Sequence, residues 1–276
     1  MAAQSTRSMR SLVSFRGFGA MAALCLIILY VPMAVLVTFS FNANRAVTVW
    51  GGFSFQWYVK AASNSGLQYA AWNSLTVALI ATTLATAIAT SAALATGRGQ
   101  RFRGAQAFYA LVNLPLMLPE IIIAVGTLSF FALLGMTLSL TTVIIAHTVF
   151  CIPFSYLPIR SRLETMDRRL EEAAMDLYAT QWRAFRHVTM PLLMPGIMSG
   201  AMLAFVVSLD DFIITAMVAG AGAGTLPVYV YTQLKQGVTP EINAISTVLL
   251  AVSILLVAAS YFVAKAGSRY SRPAAS

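Results

Sequence analysis

Six continuous apolar runs restrict this chain to one class of structure. They fall at roughly 18–40, 73–96, 106–134, 139–159, 192–219 and 244–265, and about 20 residues of helix suffice to cross a bilayer. In lipid every backbone polar group must be satisfied internally, which leaves helices or closed barrels. A barrel needs alternating segments of about 10 residues, and these runs do not alternate. The expectation is an all-α integral membrane protein with six transmembrane helices. Only 10% of residues are charged, against about 25% in a soluble domain. No Gly-Ser linker, low-complexity tract or internal repeat divides residues 1–276, so a single transmembrane domain is expected.

The net charge of +9 reads as a topology signal because of where the cations lie. Of the 18 Lys and Arg, three precede the first run and Arg98, Arg101 and Arg103 follow the second. Six follow the fourth, and Lys265, Arg269 and Arg272 close the sixth; the opposite side holds only Arg45, Lys60 and Lys235. The positive-inside rule places the richer side, and both termini, in the cytoplasm. Nucleic-acid binding is not expected from such a layout. The basic start, Met1 to Arg16, leads into a run too long for a cleaved signal peptide, so an uncleaved first helix is expected. Cys25 and Cys151 lie inside apolar runs without metal-ligand spacing and imply no disulfide framework.

Between the first two runs lies an aromatic-rich outer segment with Trp50, Phe53, Phe55, Trp57, Tyr58, Tyr69 and Trp72. Aromatic rings suit the membrane–water interface, and a substrate-contacting cage is the other reading. The second run is crowded with Ala, Thr and Ser, which let helices approach closely in lipid, and belongs inside the bundle. Pro115 and Pro119 in the third run, and Pro153 and Pro158 in the fourth, free backbone carbonyls and kink helices.

One charged island interrupts this pattern. From Arg160 to His187 the chain carries six Arg and the acids Glu164, Asp167, Glu171, Glu172 and Asp176, and opposite charges at helical spacing suit a solvated helix. Four acids lie elsewhere. On straight helices Glu120 sits about 21 Å, and Asp210 and Asp211 about 27 Å, from the cytoplasmic side, in the outer half of an approximately 30 Å core. No Lys or Arg occupies the third or fifth run. An intramembrane carboxylate costs roughly 2.5–3.5 kcal/mol on insertion scales, so it faces a cavity or a partner. A cation path and a structural polar contact are both open for these acids. Adjacent helical residues diverge by about 100°, so one of Asp210 and Asp211 faces the path and the other caps a broken helix or bonds a neighbour. Glu241 reads as a helix-start acid, His147 as a hydrogen-bonded interior histidine and His187 as solvated. No catalytic constellation and no metal site is expected.

The order of residues in the island resembles the EAA loop of the membrane subunits of bacterial ABC importers. Glu172-Ala173-Ala174 is followed at the family spacing by Val188 and Met190-Pro191, with Tyr178 where the family usually has Gly. Ser208-Leu-Asp-Asp-Phe-Ile-Ile-Thr, Thr225-Leu-Pro-Val-Tyr-Val-Tyr, Leu118-Pro119-Glu120 and His147-Thr-Val-Phe-Cys-Ile-Pro resemble segments of spermidine/putrescine-type permeases. So do Gly237-Val-Thr-Pro-Glu-Ile-Asn-Ala-Ile-Ser-Thr and Trp50-Gly-Gly-Phe with Trp57-Tyr58. The resemblance implies a type I ABC importer permease-like fold with a cytoplasmic coupling helix in the loop at about 160–191. Glu171, Glu172, Ala173, Ala174, Asp176 and Tyr178 would couple to the ATPase, and Glu120, Asp210 and Asp211 would border the path of a polyamine. It implies two ATPase subunits, a second permease of a different chain and an extracytoplasmic substrate-binding protein. The chain has no Gly-x-x-x-x-Gly-Lys-Ser/Thr phosphate loop, and Gly220-Ala-Gly-Ala-Gly-Thr lacks the lysine. ATP and Mg would therefore be bound by the partner, and this chain would be a transporter subunit rather than an enzyme. A permease for a phosphonate, an opine or an amino-acid-like solute is the same-class alternative, and a proton-coupled secondary carrier the different-class one.

Overall fold

Among the described residues, every regular element in the computed structural model is helical apart from one isolated antiparallel bridge, Asn42–Phe53. The structure describes residues 16–46, 49–97, 104–237 and 239–269. The basic residues before Arg16, and Arg98, Arg101, Arg103 and Arg272, lie outside the described residues. The chain forms two compact units, Met1–Ser63 with Leu234–Val248 and Asn64–Gln233 with Leu249–Ser276.

In the first unit, α1 (Arg16–Ser40) is apolar and its residues 19–35 are exposed within the chain. After it the chain folds back on itself around Asn42, which is fully buried. The Asn42 amide group donates to Val49 O at 2.8 Å and its carbonyl accepts from Gly51 N at 2.7 Å. Trp57 Nε1, on α2 (Gln56–Ser63), donates to Asn42 O at 2.7 Å. Phe41 stacks on Phe53 at 5.1 Å and lies 5.1 Å from the Tyr58 ring. Much of the aromatic segment is thus spent on its own packing. Lys60 pairs with Glu241 at 3.0 Å, and Glu241 occupies the first turn of α12 (Pro240–Arg269), where an acid suits the positive helix end.

The second unit is built on three helices: α3 (Ser65–Gly97), α6 (Leu140–Thr165) and α9 (Met190–Asp210). Val77, Ala81, Ala85, Ala89 and Ala93 recur every fourth residue on α3 and are fully buried, which places the second run inside the bundle. Helices α6 and α9 are also in close contact. A Cβ on Gly200 would stand 2.6 Å from Ser155 O, and Gly196 faces the Arg162 side chain and Pro158 O. Small residues give such contacts in lipid, where dispersion and hydrogen bonds rather than water release join helices. Despite Pro153 and Pro158, α6 continues unbroken from Leu140 to Thr165.

Two expected spans are discontinuous. The run at 106–134 divides into α4 (Ala105–Met117) and α5 (Glu120–Leu133), bent by 108°. Leu118 precedes proline and takes an extended conformation, φ −92° and ψ 144°, because the proline ring excludes the helical region for its predecessor. The run at 192–219 ends as helix at Asp210, turns at Asp211 (φ −62°, ψ 127°) and resumes as α10 (Ile213–Val218). Among the described residues, four helical runs are long and apolar enough to cross a membrane, or five with the bent pair counted as one; α11 (Leu226–Gln236) follows, and Pro240–Leu255 is the apolar part of α12. Within the second unit, α5 and α10 share a core with α3 and α6 built on Val77, Phe131, Val143 and Ile214.

Candidate functional site

The two breaks bring acids together. Glu120 is the first residue of α5, and its carboxyl lies beside that of Asp211. The depth expected for Glu120 on a straight helix does not hold, because the 108° bend intervenes. Asp211 is 5% exposed and its carboxylate accepts from Thr215 N at 3.0 Å, Ile214 N at 3.4 Å and Thr215 Oγ1 at 3.2 Å. An acid at this position satisfies amides that the first turn of a helix leaves unpaired and meets the positive end of the dipole.

His147, on α6, completes the cluster. Its Nε2 lies 3.2 Å from Asp211 Oδ1 and 2.9 Å from Thr215 Oγ1, and its Nδ1 lies 2.8 Å from Ser208 Oγ. With the proton on Nε2, the ring donates toward Asp211 and Thr215 while Ser208 donates to Nδ1. That tautomer satisfies every group. His147 is therefore the hydrogen-bonded interior histidine that its apolar setting suggests. Asp210 stands apart: it ends α9 and is exposed. Of the adjacent pair, Asp211 is the capping, neighbour-bonded residue and Asp210 the accessible one.

The link between His147 and Asp211 was not legible in the sequence. A signal existed in the polar spacing Ser208, Asp211, Thr215 within an apolar run, which marks one polar face needing a polar partner. Nothing in the sequence assigned that partner to His147, 64 positions away from Asp211 in the numbering.

The charged island folds as a short helix and a turn. After α6 come α7 (Arg169–Asp176), α8 (Gln181–Ala184) and a π-helical turn (Phe185–Thr189) that runs into α9. Ala179 N donates to Ala174 O at 3.1 Å and Tyr178 N to Met175 O at 3.0 Å. This pairing is the Schellman motif, which needs a left-handed residue at the position Tyr178 holds. Tyr178 adopts it, with φ 62°, as the one non-glycine residue with positive φ among the described residues. The turn that a glycine would make is thus made by tyrosine.

One face of α7 is tied to the protein and the other is presented outward. Glu171 is half-buried and accepts a hydrogen bond from Thr189 Oγ1, which fastens the helix to the π-turn. Arg168 donates to Gly97 O at 2.7 Å and Arg162 to Leu192 O at 2.9 Å, holding the loop against the ends of α3 and α9. Ala174 is half-buried, whereas Glu172, Ala173, Asp176 and Tyr178 are exposed. Leu177, Tyr178 and Trp182 are 82%, 96% and 65% exposed, an apolar surface beside carboxylates on an otherwise charged loop. A cavity of about 390 Å³ opens behind α7, lined by Glu171, Met175, Gln181, Phe185 and Thr189.

Residues 85–270 match the family described as binding-protein-dependent transport system inner membrane component. The chain is 41% identical to the putrescine transport system permease protein PotI of Escherichia coli K12 over 245 residues, 86% of this chain and 87% of that protein. It is 39% identical to the spermidine/putrescine transport system permease protein PotC of Haemophilus influenzae over 237 residues, covering 86% and 92%. Among solved structures, a chain of a bacterial alginate ABC transporter in complex with an alginate-bound periplasmic protein shares the fold. Its TM-score is 0.71 at 17% identity, covering 92% of this chain and 94% of that one.

Proposed function

The chain belongs to the binding-protein-dependent transport system inner membrane components, and on that premise we propose that it carries a polyamine, putrescine or spermidine, across the membrane. It is a permease subunit of an ABC importer, multi-pass in the inner membrane, and not an enzyme. The observation that carries the substrate is the 41% identity to a putrescine permease along nearly the whole chain. The acids support it: Glu120 and Asp210 offer carboxylates at two helix breaks, with no Lys or Arg in α5 or α9 to neutralise them. Asp211 shapes this site by fixing the second break, and Glu120 and Asp210 make the passing contacts with the cation.

Transport is driven from the island. A partner ATPase binds ATP and Mg and docks on Glu172, Ala173, Asp176 and Tyr178, while Glu171 and Ala174 form the tied side of the same helix. Two ATPase subunits, a second permease of a different chain and an extracytoplasmic binding protein complete the assembly. The distribution of Lys and Arg supports both termini in the cytoplasm. Alternating access then follows when the ATPases close and move α7.

The test is ATP hydrolysis by the complex copurified from its native host, with its binding protein, titrated with putrescine and spermidine. Stimulation at low concentration is expected. Hydrolysis that ignores both polyamines would remove the substrate, and failure of any ATPase to copurify under mild conditions would remove the coupling.

A further inference from the structure

Helix α6 runs unbroken past the point where its neighbour breaks. Ser155, Cys151 and His147 recur every fourth residue on α6, as do Gly200, Ala204 and Ser208 on α9. The two rows meet in antiparallel register. Ser155 Oγ donates to Gly200 O at 3.3 Å, Cys151 Sγ to Ala204 O at 3.5 Å, and Ser208 Oγ to His147 Nδ1 at 2.8 Å. Beyond Asp210 the row on α6 finds its partners on α10 instead. His147 Nε2 lies 2.9 Å from Thr215 Oγ1 and 3.2 Å from Asp211 Oδ1. One turn further on, Thr142 Oγ1 shares its proton between Val218 O at 2.8 Å and Ser139 O at 2.7 Å. All four α6 residues are buried.

Within this row His147 alone is bonded to both sides of the break. Ser155 and Cys151 reach α9, and Thr142 reaches α10. The ring takes one bond from α9 at Nδ1 and gives its proton toward α10 at Nε2, so neither nitrogen is left over. Swinging α10 away from α6 would strand the ring, the Thr215 hydroxyl and the Asp211 carboxylate where no water replaces the lost bonds. The position of α10 also carries that of α5, because Ile214 and Val218 share a core with Ala124 and Phe131. Helix α5 begins at Glu120, and α9 ends at Asp210. One buried ring thus sets the turn after Asp210 and, through α10, the seat of Glu120.

We propose that α6 is a splint across the break and that His147 is a positioning residue for transport: by joining α9 to α10 it holds Asp210 and Glu120 where the cation passes. His147 touches no cargo, being 1% exposed. The role rests on the reading of Glu120 and Asp210 as contacts for a polyamine. It makes the break a fixed bend that moves as one body with α6 during alternating access, and not a hinge.

The experiment uses the complete transporter with its binding protein in proteoliposomes and reads putrescine uptake per ATP hydrolysed. His147→Gln keeps an N–H near the place of Nε2 and loses the acceptor for Ser208, whereas His147→Asn keeps an acceptor near Nδ1 and loses the donor to α10. Each spans only half of the break. Both are expected to lower uptake per ATP about tenfold, the scale of one hydrogen bond to a charged group, with stimulated hydrolysis within about twofold of wild type. Ser208→Ala removes the α9 anchor from the other side and is expected to match His147→Gln. As a second measurement, amide exchange is followed in the same complex in nanodiscs. The variants are expected to speed exchange at Ile214 and Thr215, whose N–H groups donate to Asp211 at 3.4 and 3.0 Å, and to leave residues 200–204 of α9 unchanged. Uptake and hydrolysis falling in proportion, or faster exchange at residues 200–204 as well, overturns positioning in favour of a general role in packing. A wild-type ratio in His147→Gln overturns the splint, because the bond to Asp211 would then suffice alone. Wild type that carries neither putrescine nor spermidine overturns the polyamine reading, while faster exchange confined to α10 would still uphold the splint.

Discussion

Replacing Tyr178 with glycine separates backbone strain from ring contact at the turn that closes α7. Tyr178 sits at φ 62° and is 96% exposed, so its ring buries almost nothing within the chain. An L-residue in this conformation costs roughly 1–2 kcal/mol. Glycine removes that cost but brings a more flexible unfolded chain, worth about 0.5–1 kcal/mol against it. The difference favours Tyr178→Gly by about 0.5–1 kcal/mol, or roughly two- to fivefold in the opening equilibrium of the turn. Tyr178→Ala deletes the ring and keeps the strain, so it gains nothing. The assay is amide hydrogen exchange of the loop in the permease held in nanodiscs without its ATPase. It follows the Tyr178 and Ala179 N–H groups that donate at 3.0 and 3.1 Å, because such local openings set exchange. Slower exchange for Gly and unchanged exchange for Ala are expected. If Gly exchanges as fast as Tyr, or Ala as slowly as Gly, the strain does not reside in the backbone of this residue.

The adjacent acids should part company. Asp211→Asn breaks a buried set of bonds to Ile214, Thr215 and His147 and should destabilise the complex by about 1–3 kcal/mol, read as lower thermal stability in detergent. Asp210→Asn, at an exposed position, should leave that stability unchanged and reduce polyamine uptake several-fold in proteoliposomes. Gly200→Ala puts a Cβ 2.6 Å from Ser155 O; overpacking of this kind costs about 1–3 kcal/mol, so a lower yield of assembled complex is expected from the same membranes. Glu171→Gln keeps an acceptor for Thr189 and should preserve assembly, whereas Glu171→Ala should weaken ATPase copurification, measured by subunit ratio.

Legibility differed from element to element. The runs at 73–96 and 139–159 declared themselves as helices and are helices, extended by the structure to Ser65–Gly97 and Leu140–Thr165. The island read as a solvated helix within the loop at about 160–191, and α7, Arg169–Asp176, forms there. The prolines were read evenly as kinks, yet Pro153 and Pro158 leave α6 continuous while Pro119 coincides with a bend of 108°. A proline frees a carbonyl in both cases; what differs is whether neighbouring helices hold the flanking turns in line. The break at Asp211 had only the Asp210–Asp211 pair as its signal, and two acids in sequence do not say which one turns inward.

The sequence by itself determined the solvent and the helical class. Lipid imposes its demand on each segment separately, through length and composition, and those are local properties. The tertiary structure alone decided that Asp211 is buried against His147 and that Asp210 is exposed. Each of these depends on which atoms of α6, α9 and α10 meet. Burial and hydrogen bonding belong to pairs of distant residues, and a pattern read along one helix carries no information about the other member of the pair.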